Sequence, residues 1–346
     1  MPRKITDLDQ LTEHADVFLC DVWGVIHNGV NPFALSGEAL KEARGRGQTV
    51  ILITNSPRPA AGVLQQFGTI GVDPECWDDI VTSGDVTRQL VMDGPREIYF
   101  LGPVYRNREE GPLHSPEFTM LEWYRADRPY DDVIEDCAAL AATAQSACGA
   151  EALRWRDATC DARLPYERLT VAEAFAQHTG LNLARLIDAP DTMADAARSI
   201  GIDVLDDDDW SDLFSRILVR MIEPKLGQGR FTILDRYPAR EAALARPCVD
   251  DPRFAERFEV YACGVELANG FGELTDAKLL RERLQAEMDE KQRRHGERWP
   301  IDEDFLEALS IMPPASGCAL GFDRLVMLAT GAARIDDVIW TPAAGR

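Results

Sequence analysis

Arg324 ends a stretch of small residues, Ser316-Gly-Cys-Ala-Leu-Gly-Phe-Asp-Arg324, and is followed by the apolar run Leu325-Val-Met-Leu-Ala329 at helical spacing. A strand with so little side-chain bulk lets a flat ring lie against its backbone, and Gly321 allows the closest approach. The guanidinium at the start of the next helix is a planar fork that matches phosphate and stacks on rings. This order predicts a nucleotide floor with a cation held above it.

A second run, Tyr105-Arg-Asn-Arg-Glu-Glu-Gly-Pro-Leu-His-Ser-Pro-Glu-Phe-Thr-Met-Leu-Glu-Trp-Tyr124, reads as two strands joined at Gly111-Pro112. The returning strand alternates, so Phe118, Met120, Glu122 and Tyr124 share one face, and Glu117, Thr119, Leu121 and Trp123 the other. One face thus carries an aromatic plate, a carboxylate and a phenol, with Arg106 placed to reach back over it. A third run is Gly264-Val-Glu-Leu-Ala-Asn-Gly-Phe-Gly-Glu-Leu-Thr275. Glu266 on a strand is a candidate Mg²⁺ ligand, because that ion prefers carboxylate and phosphate oxygen. Glu122 and Glu273 can bracket a substrate ammonium, and Asn269 can orient a carboxylate or amine. Carboxylates in an apolar pocket need a cationic partner, and a lysine-like side chain supplies one.

The first hundred residues read differently. Val17–Val22 and Thr49–Thr54 are continuous apolar strands, and Ile80–Thr82 and Ile98–Leu101 are shorter ones. Helices are predicted at Ser36–Arg46, with Ser36 as N-cap and Gly47 as stop, and at Pro59–Phe67. Alternating buried strands and helices imply a parallel, doubly wound sheet, whose functional residues gather at the carboxyl ends of strands. Asp21 ends the first strand, and Thr54-Asn55-Ser56 ends the second.

Beyond Gly102 the composition suits an antiparallel sheet with flanking helices. Helices are predicted at Asp131–Ala147, Val171–Gln177, Asp191–Ser199, Trp210–Arg220 and Asp276–His295, and strands at Phe231–Leu234 and Phe258–Asn269. Leu280, Leu284 and Met288 share one face of the long helix and read as a core stripe. Asp206–Asp209 reads as a solvated loop and helix cap.

The chain has 346 residues, 45% hydrophobic and 28% charged, which predicts two domains with packed cores. No apolar run reaches membrane-spanning length and the N-terminus lacks an apolar signal core, so a cytoplasmic protein is expected. Eight cysteines without Cys-x-x-Cys spacing read as free thiols rather than a zinc site. The net charge of −22 repels phosphate backbones at long range and disfavours nucleic acid as a partner.

The runs around Arg106 and Arg324 resemble motifs 2 and 3 of class II aminoacyl-tRNA synthetases. His114-Ser-Pro-Glu-Phe-Thr-Met-Leu-Glu-Trp-Tyr-Arg125, Glu266-Leu-Ala-Asn-Gly-Phe271 and Gly317-Cys-Ala-Leu-Gly-Phe-Asp-Arg324 are most similar to the lysine branch, and within it to elongation factor P β-lysine ligases. The resemblance spans residues 103–346. It implies ATP and Mg²⁺ as cofactors, lysine or β-lysine as substrate, and elongation factor P as protein acceptor, with tRNA disfavoured. It implies that Arg106, Asn107, Arg108, Ser115, Phe118, Glu266, Leu267, Gly321 and Arg324 line ATP. Arg106, Glu266 and Arg324 would be catalytic, and Tyr124 and Glu273, with Glu122 and Asn269, would hold the amino acid. Motif 1 has no counterpart, which leaves a sheet edge uncovered and dimerisation open.

Residues 1–102 resemble the haloacid dehalogenase (HAD) superfamily, subfamily IIA, through Asp21-Val-Trp-Gly-Val-Ile-His-Asn-Gly29 and Ile53-Thr-Asn-Ser-Pro-Arg58. By that resemblance Asp21 would be a phosphoryl-accepting nucleophile, and Thr54 and Asn55 would bind phosphate. The usual second aspartate is Trp23, and no lysine or late acidic pair follows in register. The expectation is a vestigial, truncated half-fold serving as scaffold. The alternatives are a HAD-type phosphatase, an inactive fusion that retains ATP or partner binding, and lysyl-tRNA synthetase-like aminoacylation.

Overall fold

The computed structural model describes residues 15–93, 98–107 and 110–340. The chain divides into two compact units, Met1–Arg96 and Glu97–Arg346. In the first, β1 (Val17–Asp21), β2 (Thr49–Thr54) and β3 (Asp79–Thr82) pair in parallel in that order. The connecting helices, Ala34–Gly45 and Ala60–Ile70, pack on one face, where Leu40, Ala43, Val50, Leu52, Val63, Phe67 and Ile80 form the core. On the other face Val17 and Leu19 remain 48% and 66% exposed, so the continuous apolar strands are covered on one side only among the described residues.

Ser36 does not cap its helix. The helix starts two residues earlier, with Phe33 as N-cap and no side-chain cap. The Phe33 N–H donates to Ile26 O at 2.8 Å, so a backbone bond from the preceding loop sets the entry. Gly47 stops the helix as expected, at φ +91°.

The second unit is built on seven strands. These are β4 (Ile98–Tyr105), β5 (Glu117–Ala126), β8 (Glu167–Thr170), β9 (Thr232–Pro238), β10 (Phe254–Ala262), β11 (Val265–Gly272) and β12 (Ala315–Gly321); a separate hairpin holds β6 (Leu153–Trp155) and β7 (Ala158–Cys160). The order is β4-β5-β12-β11-β10-β9-β8. Ile98–Leu101 therefore belongs to this sheet, where β4 pairs with β5, and the junction of the two resemblances at residues 102–103 lies inside the strand.

The sheet is mixed, which corrects the all-antiparallel expectation: β8 runs parallel to β9. Parallel neighbours need a long crossover. Here it is the helical segment that opens at Val171, capped by Thr170 and Glu173 in a reciprocal capping box.

The back of the sheet is apolar. Trp123, Phe258, Cys318 and Leu320 pack with Val133, Ile134, Cys137 and Ala141 of helix Tyr130–Ala147. Asp136 on that helix accepts from Trp123 Nε1 at 3.0 Å and from Arg125 at 2.6 and 2.7 Å. Helix Phe322–Thr330 buries Leu325, Met327 and Leu328 against the same core. The long helix Ala277–His295 buries Leu280 fully and Leu284 in part, against Leu306 and Leu309.

Trp123 is 1% exposed and joins β5 to that helix. Trp123→Ala is expected to destabilise this unit by about 3–5 kcal/mol, the usual cost of deleting a buried indole. Denaturant unfolding measures it; a loss below about 1 kcal/mol would show that the helix is anchored elsewhere.

Candidate functional site

The seven-stranded sheet brings residues from distant parts of the chain into rows. Directly opposed residues share a face, so Glu259, Asn269, Ala319 and Glu122 form one row across β10, β11, β12 and β5. Arg257, Phe271, Gly317 and Tyr124 form the next, and Gly321 faces Met120. β12 contributes only Ala315, Gly317, Ala319 and Gly321 to this face. It is therefore a shallow trough walled by longer side chains.

A cavity of about 300 Å³ opens over the trough. Arg106, Ser115, Phe118, Glu266, Leu267, Asn269, Gly321 and Arg324 all line it, and so do Met120 and His114. The two arginines thus face one cavity. Arg106 stands over the Phe118 ring, with Cζ 5.4 Å from the centroid. Its N–H donates to Pro116 O at 2.9 Å, which closes the loop between β4 and β5.

Arg324 is held by backbone from two other segments. Nε donates to Leu113 O at 3.1 Å, and Nη1 donates to Glu266 O at 2.9 Å. The Glu266 carboxylate lies 3.7 Å from Nη1. Asp323, buried beside it, accepts from Thr119 N at 2.6 Å and so pins the start of helix Phe322–Thr330 to β5. A Cβ on Gly321 would meet nothing in the protein nearer than 3.6 Å. Internal packing does not require glycine there, and a side chain would instead fill the trough.

Three carboxylates crowd one wall. Glu266 opens onto the cavity, yet its carboxyl is held above the usual carboxylate range by its depth and by the charges of Glu259 and Glu223, against the pull of Arg324. Burial, with the charge of Glu259, pushes Glu223 up to about 7. Both oxygens of Glu259 are occupied. Tyr237 and Tyr261 hydroxyls donate at 2.5 and 2.6 Å, Arg257 donates at 2.6 Å, and Asn269 Nδ2 lies 3.5 Å away. That tie leaves Asn269 Oδ1 buried without a partner.

Glu122, Tyr124 and Glu273 do not line the cavity; Tyr124 and Glu273 meet at Gly317, with Glu122 in the adjoining row at Ala319. A Cβ on Gly317 would lie 2.5 Å from the Tyr124 ring and 2.9 Å from Glu273 Oε1, so glycine is required for the phenol and carboxylate to meet. Burial pushes the Glu273 carboxyl up to about 7, and burial with the charges of Glu273 and Glu122 pushes the Tyr124 phenol up to about 12. Arg246 is the cation whose charge acts on Glu273, against the effect of burial.

Asn107 is exposed in the loop and does not line the cavity, and Arg108 lies outside the described residues. Arg257 and Glu259 are cavity residues that the sequence reading missed. Their signal was present: Arg257 and Glu259 are opposite charges two apart, so they share one face of the strand Phe254-Ala-Glu-Arg-Phe-Glu-Val-Tyr-Ala262 and mark it as an ionic one. Among the described residues no group of three or more His, Cys, Asp or Glu side chains is arranged to hold a metal.

In the first unit a separate pocket of about 300 Å³ is lined by Thr54, Asn55, Ser56 and Arg58, with Trp23 and His27. Asp21 is not in its lining; its Oδ1 accepts from Val22 N at 2.8 Å. Lys41, the one lysine described in this unit, pairs with Asp73 and Glu75 at 2.7 and 2.8 Å. No helix of the described residues is long and apolar enough to cross a membrane.

Two protein families match the chain. Residues 18–108 match the profile of the haloacid dehalogenase-like hydrolases, and residues 79–344 that of the class II tRNA synthetases (D, K and N). An elongation factor P–(R)-β-lysine ligase of Yersinia enterocolitica is 36% identical over 263 residues, 74% of each chain. One of Haemophilus influenzae is 36% identical over 253 residues, 73% of each chain. A lysine–tRNA ligase of Moorella thermoacetica is 36% identical over 259 residues, 74% of this chain and 52% of that protein. The chain spans about half the length of the lysine–tRNA ligases it matches. With a trough, a paired-arginine cavity and a profile match that runs from β3 to beyond Arg324, the chain belongs to the class II tRNA synthetase family of the D, K and N type.

Proposed function

We propose that the second unit, Glu97–Arg346, is an ATP-dependent ligase that activates lysine or β-lysine as its adenylate and passes it to a lysine of elongation factor P. The first unit, Met1–Arg96, is then a HAD-like scaffold. One observation carries the reading: Arg106 and Arg324 line the same cavity above Gly321.

In this reading the nucleotide base lies between Phe118 and the trough. Arg106 grips the α-phosphate, and Arg324 neutralises the departing pyrophosphate. The amino-acid carboxylate attacks the α-phosphorus in line, the bond to the bridging oxygen breaks, and pyrophosphate leaves. The acceptor amine then displaces AMP from the acyl-adenylate. No protein nucleophile is needed, so catalysis rests on positioning and charge neutralisation. Glu266 would hold Mg²⁺, an ion commonly bound through one or two carboxylates and substrate phosphate, and the ion would add charge neutralisation on the phosphates. Glu122 and Glu273 receive the side-chain ammonium at Gly317, and Asn269 Oδ1 accepts from the remaining amine.

One fact favours a protein acceptor over tRNA: the net charge of −22 opposes a polyanion.

Pyrophosphate exchange tests the first half-reaction: it should require lysine or β-lysine, and Arg324→Ala should lower it at least about a hundredfold. Gly321→Val should raise the KM for ATP about tenfold while the thermal midpoint holds, since the trough and not the core loses space. Asp21→Ala should leave exchange unchanged; phosphate release abolished by that variant would favour the hydrolase instead. For the second half-reaction, mass spectrometry should find the acyl group on elongation factor P. Label appearing on tRNA would overturn the choice of acceptor, and tight ATP binding without exchange would favour an inactive fusion.

A further inference from the structure

Glu273 sits where three segments meet. Its N–H donates to Ala315 O at 2.9 Å, and Ala245 bridges to it from the other side. Arg246 N–H donates to Gly272 O at 2.7 Å, which sets residues 245–246 alongside Gly272 and Glu273. The Arg246 guanidinium then folds over Gly272. A Cβ there would lie 3.0 Å from Arg246 Nη2 and closer still to Glu256 Oε2. Glu256 accepts from Arg246 Nε at 3.0 Å and from Nη2 at 2.5 Å. The missing side chain at Gly272 is thus what lets an ion pair lie directly behind Glu273.

Tyr124 on β5 meets Glu273 at Gly317 with Glu122 beside it, Arg246 on the adjoining segment and Glu256 on β10 lie at Gly272, and Arg283 on the long helix reaches the segment that carries Ala245. Arg283 is spent on the carbonyls of Ala242, Ala243 and Ala245. Arg246 is the cation whose charge acts on Glu273.

We propose that Arg246, steadied by Glu256, is a positioning residue that keeps the Glu273 carboxylate charged for the side-chain ammonium of the amino-acid substrate. The inference rests on the ligase reading above. Burial drives Glu273 toward its neutral acid, which cannot pair with an ammonium, and Arg246 opposes that drive. Glu256 sets the limit, because its charge cancels part of the field that Arg246 exerts.

The two partners therefore act with opposite signs. In the wild type, the KM for lysine in pyrophosphate exchange should rise as pH falls through about 7, where Glu273 takes up a proton. Arg246→Gln should move that midpoint up by about one unit, raising the KM near neutrality about fivefold with the KM for ATP unchanged. Glu256→Gln should move the midpoint down and lower the KM at neutral pH. Equal increases in both variants at every pH would mean simple structural damage and would overturn the proposal. Carboxyl ¹³C NMR, with the Glu273 resonance assigned through Glu273→Gln, reads the same midpoints without turnover. Midpoints that move in opposite directions without any exchange would sink the ligase reading but keep the electrostatic role. Midpoints that stay put would overturn the role even in an active enzyme.

Discussion

Arg324 is held in place by two carbonyl groups it meets only in the folded chain. Leu113 O belongs to the loop between β4 and β5, and Glu266 O belongs to β11. A guanidinium has donors in a fixed fork, so two acceptors from separate segments set both its position and its plane. The Asp323–Thr119 bond adds a third tie, from the same helix start to the rim of β5. Loop, strand and helix must all be in register before this cation faces the cavity. The arrangement around Arg106, Gly321 and Glu266 depends on that register.

Charge is handled by the same economy of contacts. Glu259 is buried, but its four partners satisfy both oxygens, as a desolvated carboxylate requires. Glu223, Glu266 and Glu273 are less fully compensated, and their carboxyls rise accordingly. Perturbed carboxyls of this kind gather where a charged ligand completes the balance. In the proposed ligase Glu266 would be completed by a metal ion with phosphate, and Glu273 by an ammonium.

Much of the site was legible in the chain because it depends on local chemistry. The alternation in β5 placed Phe118 and Met120 on the cavity face and Trp123 on the core face, as the pleat dictates. The small residues of β12 announced a trough because Gly and Ala at alternate positions leave one face of a strand with almost no side-chain bulk. Other features were not legible. Ser36 was a good cap by type, but a backbone bond from Phe33 to Ile26 moved the start of the helix. The parallel β8–β9 pair depends on where a crossover of more than sixty residues returns, which no local pattern encodes. Arg257 and Glu259 were not singled out in the sequence; the cross-strand register puts them on the cavity face with Asn269 and Phe271.

By itself, then, the sequence determined which strands are pleated which way, where glycine must stand, and which side chains can grip phosphate or ammonium. These follow from residue type and from a period of two. The tertiary structure alone decided that the nucleotide-type residues share one cavity, whereas Tyr124 and Glu273 meet apart from it at Gly317, with Glu122 in the adjoining row. It alone placed the Arg246–Glu256 pair behind Glu273. Such outcomes depend on strand order and cross-strand register, which are set by long-range packing and hydrogen bonding rather than by any neighbour in the chain.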